Sequence, residues 1–97
     1  MTAAQREILA DALDDDFGLW ELASFREPVR ELVERGWVAV CRGHAGSPLD
    51  KERGLAAVAD PSAWKRPDQG GGVYWIRTTD EGEAALRTDA EGRLPAT

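Results

Sequence analysis

The chain has 97 residues, the size of one domain, and its 42% hydrophobic and 31% charged composition is that of a globular protein rather than a disordered one. Its formal net charge of −6 is not that of a strongly basic nucleic-acid binder. No apolar run reaches the roughly 20 residues that span a bilayer, and no signal peptide is recognisable. Cys41 has no disulfide partner. For these reasons we expect a cytoplasmic protein that binds no membrane.

Residues 2–13 predict a first helix. Ile8, Leu9 and Ala12 recur at helical spacing and form one apolar stripe. Thr2 stands where a helix N-cap is expected, since its hydroxyl can accept from a backbone N–H of the first turn.

Three aspartates at 14–16 follow this helix. We expect them to be solvated surface, with Asp16 capping the next helix. Residues 17–23 predict a short second helix around Trp20. If Trp20 has a purely structural role, it lies in an aromatic core cluster, whereas an exposed Trp20 would mark a homodimer or partner surface.

The stretch from Ser24 to Cys41 predicts a third helix, a sharp stop and a strand over residues 37–41. Ser24 and Glu27 have the spacing of a capping box. Gly36 follows the last periodic residue, where a positive φ is expected. Leu32, Val33 and Trp37 are expected to be buried, because they join the helix to the strand.

Residues 42–72 predict a long insertion with a helix of its own. Ser47 is expected as the N-cap, and the helix should run over 48–59. Leu55 or Val58, together with Trp64, should pack against the body of the domain. Connections of this length are uncommon in compact domains unless they carry a function.

Residues 73–77 predict a second strand, rich in aromatic and β-branched side chains. Thr78 or Thr79 then caps a closing helix over 80–87. We expect residues 1–88 to form one domain and residues 89–97 to form a flexible tail.

This order resembles that of small bacterial winged-helix regulators. The stretch LWELA followed by VRELVERGWVAV is similar to their second and third helices and first wing strand, and TTDEGEAAL is similar to their closing helix. The resemblance implies an α+β winged helix-turn-helix fold with three N-terminal helices, a two-stranded wing carrying a helical insertion, and a C-terminal helix. It also implies a regulatory role, by analogy of fold alone.

The third predicted helix has an acidic outer face. A helical projection places three glutamates opposite its apolar stripe, where they would bring negative charge to phosphates. Pairing of Glu27 with Arg30 and of Glu31 with Arg35 would instead make this face ordinary solvated surface. Because the acidic charge disfavours DNA on this face, we expect a protein partner, bound through Glu27, Arg30, Glu31 and Glu34.

DNA binding is the alternative, and it would use the mildly basic middle of the chain. Residues 35–79 carry seven basic and four acidic side chains, whereas residues 1–34 carry three and nine. The expected DNA contacts on the wing are Arg42, Lys51, Arg53, Lys65, Arg66 and Arg77.

An enzyme is the third class, and the sequence offers it little. Cys41 and His44 are too few for a zinc site and form no convincing nucleophile and base pair. We expect no cofactor, no metal and no catalysis.

Overall fold

The computed structural model describes residues 1–92 and places them in a small α+β fold. Within that range four α-helices surround a three-stranded antiparallel sheet. The helices are α1 (Ala3–Asp14), α2 (Arg26–Glu34), α3 (Lys51–Ala59) and α4 (Asp80–Gly92); the strands are β1 (Phe17–Gly18), β2 (Val38–Arg42) and β3 (Tyr74–Thr78). Short 3₁₀ helices cover Leu19–Phe25, Pro61–Trp64 and Pro67–Gln69.

The sheet has the order β1-β3-β2, so β3 is the central strand. In the long pair, Val40 lies opposite Ile76 and Arg42 lies opposite Tyr74. Side chains alternate across a strand, so Val38 and Val40 share the face that packs on the helices and are buried there.

The predicted second helix over 17–23 is wrong in type. Phe17 and Gly18 pair with β3 as a two-residue strand, and the chain then continues as a 3₁₀ helix to Phe25. Gly18 is a poor helix former, which favours the extended start. The 3₁₀ segment is kinked at Leu22, whose φ and ψ of −114° and 23° are not helical.

The predicted cap of α1 is confirmed. The backbone N–H of Gln5 donates to the Thr2 hydroxyl at 3.1 Å, and the Gln5 side chain accepts from the backbone N–H of Thr2 at 2.9 Å. This reciprocal pair satisfies two donors that the first helical turn leaves without partners. The expected stripe is also buried, with Leu9 fully covered.

The predicted capping box of α2 is wrong, whereas its predicted end is confirmed. The 3₁₀ helix runs directly into α2, so Phe25 occupies the N-cap and no side chain caps the first turn. At the other end Gly36 has a φ of +76°. Its N–H donates to the Val33 carbonyl and that of Trp37 donates to the Leu32 carbonyl, both at 3.0 Å, which is the Schellman arrangement.

The core lies where α1, α2 and the sheet meet. Leu32 and Val33 are buried as expected, but Trp37 is only half-buried, at the edge of the cluster. The largest fully buried side chains are Leu9, Leu19, Leu32, Ile76, Val29, Val40 and Cys41.

The inserted helix exists but begins later than predicted. Asp50, not Ser47, is the N-cap of α3, and its carboxylate accepts from the backbone N–H of Arg53 at 2.8 Å. Pro48, predicted in the first helical turn, instead lies extended beside Cys41 in an isolated bridge. The next residue, Leu49, donates its N–H to the Val40 carbonyl at 2.8 Å, so the insertion pairs with the free edge of β2.

The insertion packs against the body of the domain, as expected. Val58 and Trp64 are buried, and the Trp64 indole N–H donates to the Val58 carbonyl at 3.0 Å. Helix α3 lies along α2, because Gly54 brings its backbone against Val33. The connection is therefore a folded part of the domain rather than a loose wing.

Thr79 caps α4, which runs beyond the predicted end at residue 87. The Thr79 hydroxyl accepts from the Gly82 N–H at 3.1 Å and donates to the Gly36 carbonyl at 2.7 Å. Residues 88–92, expected outside or at the edge of the closing helix, are helical. The rest of the predicted tail, residues 93–97, lies outside the described residues.

We predict that Gly82→Ala destabilises the protein strongly, while Gly92→Ala in the same helix does not. A Cβ at position 82 would lie 2.1 Å from the Trp37 carbonyl oxygen and 2.9 Å from Thr78 Cγ2, whereas a Cβ at position 92 would meet no heavy atom within 4 Å. Urea unfolding should show a loss of about 2 kcal/mol or more for Gly82→Ala. Equal stabilities for the two variants would mean that α4 does not pack closely on Trp37.

Candidate binding surfaces

The outer face of α2 is exposed and carries charged side chains. Burial of Val29, Leu32 and Val33 on the inner face leaves Glu27 and Glu34 pointing outward, with side chains 66% and 59% exposed. The Arg30 side chain lies between them and is 42% exposed. The sequence therefore predicted correctly which side of this helix faces solvent.

Arg30 bridges the two glutamates. Its guanidinium donates to Glu27 from two nitrogens and to Glu34 from Nη1 at 2.8 Å. The bonds from Arg30 lower the pKa of Glu27, and the same bonds, led by the one to Glu27, raise the pKa of Arg30. The expected Glu27–Arg30 pair is therefore present, and Arg30, Glu27 and Glu34 together carry a net charge of −1.

Glu31 is not part of this exposed group. It is half-buried and accepts from the Gln5 side-chain amide at 2.8 Å, which ties α2 to α1. The expected Glu31–Arg35 pair is wrong, because Arg35 lies over the Trp37 ring at 4.9 Å from its centroid. Of the four residues predicted for the partner-binding face, the structure brings together Glu27, Arg30 and Glu34.

Arg77, predicted as a DNA contact on the wing, forms an ion pair with Asp16, and its side chain is 38% exposed. Its Nε and Nη2 donate to the two carboxylate oxygens of Asp16, each at 2.9 Å. The Asp16 side chain is only 8% exposed, and the bond from Arg77 lowers its pKa. The prediction that Asp16 caps the following helix is therefore wrong; Gly18 stands at that N-cap.

The same pair holds the loop that follows β2. Arg77 Nη2 donates to the Gly46 carbonyl at 3.0 Å, and the Ala45 N–H donates to Asp16 at 2.7 Å. Ala45 has a φ of +56°, a conformation uncommon for a residue with a Cβ. Because 61 residues separate Asp16 from Arg77, no local pattern in the sequence pointed to this contact.

The other residues predicted for DNA contact do not converge on one patch. Arg66 pairs with Asp68 at 3.3 Å, and Lys65 is exposed near the Trp64 turn. Lys51 lines a cleft of about 160 Å³ between α2, β2 and α3. Only Arg42 and Arg53, among these six positions, line the same groove, which has a volume of about 390 Å³.

An aromatic group lies beside the Asp16 pair. Trp20 and Trp75 meet edge to face with centroids 4.9 Å apart, and the His44 ring packs on Trp75 at the same distance. His44 Nε2 lies 3.0 Å from Asp15. Trp20 is half-buried, so it belongs to the edge of an aromatic cluster and is neither a core centre nor a freely exposed ring.

Cys41 and His44 do not form a reactive pair. Cys41 is fully buried, and burial raises the pKa of its thiol, which disfavours the nucleophilic thiolate. His44 is exposed and turned toward Asp15 and Trp75. Across residues 1–92, no group of three or more His, Cys, Asp or Glu side chains could hold a metal ion.

Comparison with known proteins adds no further lead. No family model matches the chain, and no curated protein or solved structure is detectably similar to it. None of the helices within residues 1–92 is long and apolar enough to cross a membrane. The function has to be argued from the surfaces themselves.

We predict that Asp16→Asn costs about 1–3 kcal/mol of stability at neutral pH, because it weakens charge-assisted bonds to Arg77 and to the Ala45 N–H. Since the pKa of folded Asp16 is lowered from 3.8, its contribution is full above that value and is lost as the pH falls through the folded pKa. The gap between wild type and variant should therefore close in acid.

Asp14→Asn is the matched control, because Asp14 is an exposed neighbour in the same acidic run. It should change stability by less than about 0.5 kcal/mol. Urea unfolding at several pH values measures both variants. A gap for Asp16→Asn that stays constant down to strong acid would show that the carboxylate charge is not what stabilises the fold.

Proposed function

We propose that the chain is a non-catalytic binding module of winged-helix type that engages a basic protein surface through the outer face of α2. The fold assignment is supported by the element order: three helical segments precede β2 and β3, an insertion separates those two strands, and α4 follows them. The added strand β1 departs from the two-stranded wing that the resemblance implies, since it makes the sheet three-stranded. The role is regulatory by analogy of fold alone.

The observation that carries the proposal is the group formed by Glu27, Arg30 and Glu34. These side chains are exposed, yet Arg30 holds both glutamates in place, so a partner would meet a preformed acidic surface rather than three mobile side chains. Preorganised side chains lose little conformational entropy on binding. A lysine- or arginine-rich partner fits the net charge of −1.

Charge disfavours the insertion of α2 into a DNA groove. The outward side chains of Glu27 and Glu34 would face the phosphates of the DNA backbone and be repelled by them.

DNA binding through the insertion is the second candidate. It is favoured by three exposed cations there, Arg42, Lys51 and Lys65, none of which forms an ion pair within residues 1–92. They line different places on the surface, so any such contact would depend on a few phosphates.

The partner contact is tested with a photo-cross-linking residue at exposed position 35, next to Glu34, so that Glu27, Arg30 and Glu34 stay intact. The same residue at exposed position 7 of α1 is the control. In cells that contain the native partner, position 35 should yield a discrete protein adduct that position 7 does not. Glu27→Lys should lower the yield, because it reverses the charge at one end of the acidic surface. Equal adducts from both positions, or adducts only with a second copy of this chain, would contradict the proposal.

For DNA, we predict no binding of random duplex by the wild type at about 150 mM salt, where ordinary DNA binders have dissociation constants of roughly 10⁻⁴ to 10⁻⁶ M. The double variant Glu27→Lys/Glu34→Lys should gain affinity in a fluorescence anisotropy titration. Glu7→Lys/Glu91→Lys alters the net charge equally at exposed positions away from α2 and should gain less. Micromolar binding by the wild type, weakened steeply by salt, would instead favour the DNA function.

A further inference from the structure

A groove between α3 and the far end of the strand pair has not been assigned a role. Arg42 and Tyr74 lie opposite each other on β2 and β3, two residues beyond the buried Val40–Ile76 pair. They extend past the core on the sheet face that packs on the helices, and α3 lies across from them. The groove has a volume of about 390 Å³, which falls within the range of small-molecule sites, roughly 300–1,000 Å³.

One side of the groove is formed by α3 and its C-cap, Asp60. Arg53, Ala56, Ala57 and Asp60 follow one another at spacings of three, one and three residues, and all four line the groove. The two alanines are small, so the space that larger side chains would fill between helix and sheet remains open. Leu49 and Ala57 add an apolar floor, Leu49 half-buried and Ala57 buried.

On its α3 side the groove has charged residues at both ends and two alanines between them. Arg53 and Asp60 lie seven residues apart, or about 10 Å along the helix. The Asp60 carboxylate is held by the backbone N–H and hydroxyl of Ser62, whose bonds lower the pKa of Asp60, so it stays ionised. Arg53 makes only a long contact of 3.7 Å with Asp50, and the Arg42 side chain forms no ion pair within residues 1–92.

We propose that this groove binds a small ligand that carries both a phosphate monoester and an aromatic ring. Two guanidinium groups match the charge of −1.5 to −2 that a phosphate monoester carries near neutral pH, and each can donate two bonds to it. The half-buried Tyr74 ring and the alanines provide a flat apolar surface for the ring. Asp60, at the opposite end of the stripe, accepts from a hydroxyl or amine on the far side of the ligand.

This assignment uses none of the residues on the outer face of α2. It therefore stands or falls separately from the proposed function: Glu27→Lys/Glu34→Lys should leave binding in the groove unchanged. The protein would thus have a site for a small anionic ligand in addition to the protein-binding face of α2.

The test titrates the ¹⁵N- and ¹³C-labelled protein with phenyl phosphate, and NMR spectra measure binding. Resonances of Arg42, Arg53 and Tyr74 should shift together and saturate with a dissociation constant of about 1 mM or below. Inorganic phosphate, which lacks the ring, and benzyl alcohol, which lacks the charge, should both bind more weakly. Equal shifts with either control would overturn the proposal, as would no shift at all.

Variants test the site itself. Arg42→Gln and Arg53→Gln should each weaken phenyl phosphate binding about tenfold. Ala56→Leu should abolish it by filling the groove; because Ala56 is exposed, this variant should fold, which its amide spectrum and melting temperature verify. Arg87→Gln, an exposed arginine of α4 outside the groove, is the matched control and should bind like the wild type.

Two further ligands distinguish the source of the phosphate. Tighter binding of adenosine 5′-monophosphate than of phenyl phosphate would assign a nucleotide, and tighter binding of O-phosphotyrosine would assign a phosphorylated tyrosine side chain. A different outcome is that duplex DNA displaces phenyl phosphate, with an affinity of the DNA that falls equally in Arg42→Gln and Arg53→Gln. That result would show that Arg42 and Arg53 contact a nucleic-acid backbone and that the small-ligand proposal is wrong.

Discussion

The turn at Gly36 and Trp37 joins α2, β2 and α4. Here α2 ends in a left-handed glycine and β2 begins two residues later. The Gly36 carbonyl accepts from the Thr79 hydroxyl, and the Trp37 carbonyl accepts from the Thr79 N–H at 3.0 Å. The backbone of α4 then approaches the Trp37 carbonyl at Gly82. The helix that presents the acidic face is thus fixed to the end of the sheet and to the closing helix at one place.

Local patterns predicted the features that depend on a few neighbouring residues. The N-cap at Thr2, the glycine stop at residue 36 and the apolar stripe of α2 are each decided within one or two turns of helix, and each is confirmed. The outward position of Glu27 and Glu34 follows from that stripe, which is why the exposed part of the candidate site could be predicted.

The errors arose where a distant strand or helix competes with local preference. Phe17 and Gly18 become a strand because β3, far along the chain, offers hydrogen-bonding partners. Pro48 is drawn out of the expected helix by its contact with Cys41 on β2. Local patterns predicted Asp16 as a helix cap and Arg77 as a surface cation. They missed the ion pair between these two residues, because each residue's partner lies 61 residues away in the sequence. The groove between α3 and the strand ends was likewise not predicted, since it requires knowing which helix faces which strand.

The contact of residues 48 and 49 with β2 has a consequence for solubility. An outer strand exposes unpaired N–H and C=O groups that can recruit the strand of another molecule, and proteins commonly shield such strands. Here the Leu49 N–H occupies the Val40 carbonyl, and Pro48, which has no N–H to offer, lies beside Cys41. At the opposite side of the sheet β1 is only two residues long. An engineered version with the insertion cut to a tight hairpin would therefore uncover β2 and make the shortened chain prone to aggregate through that strand.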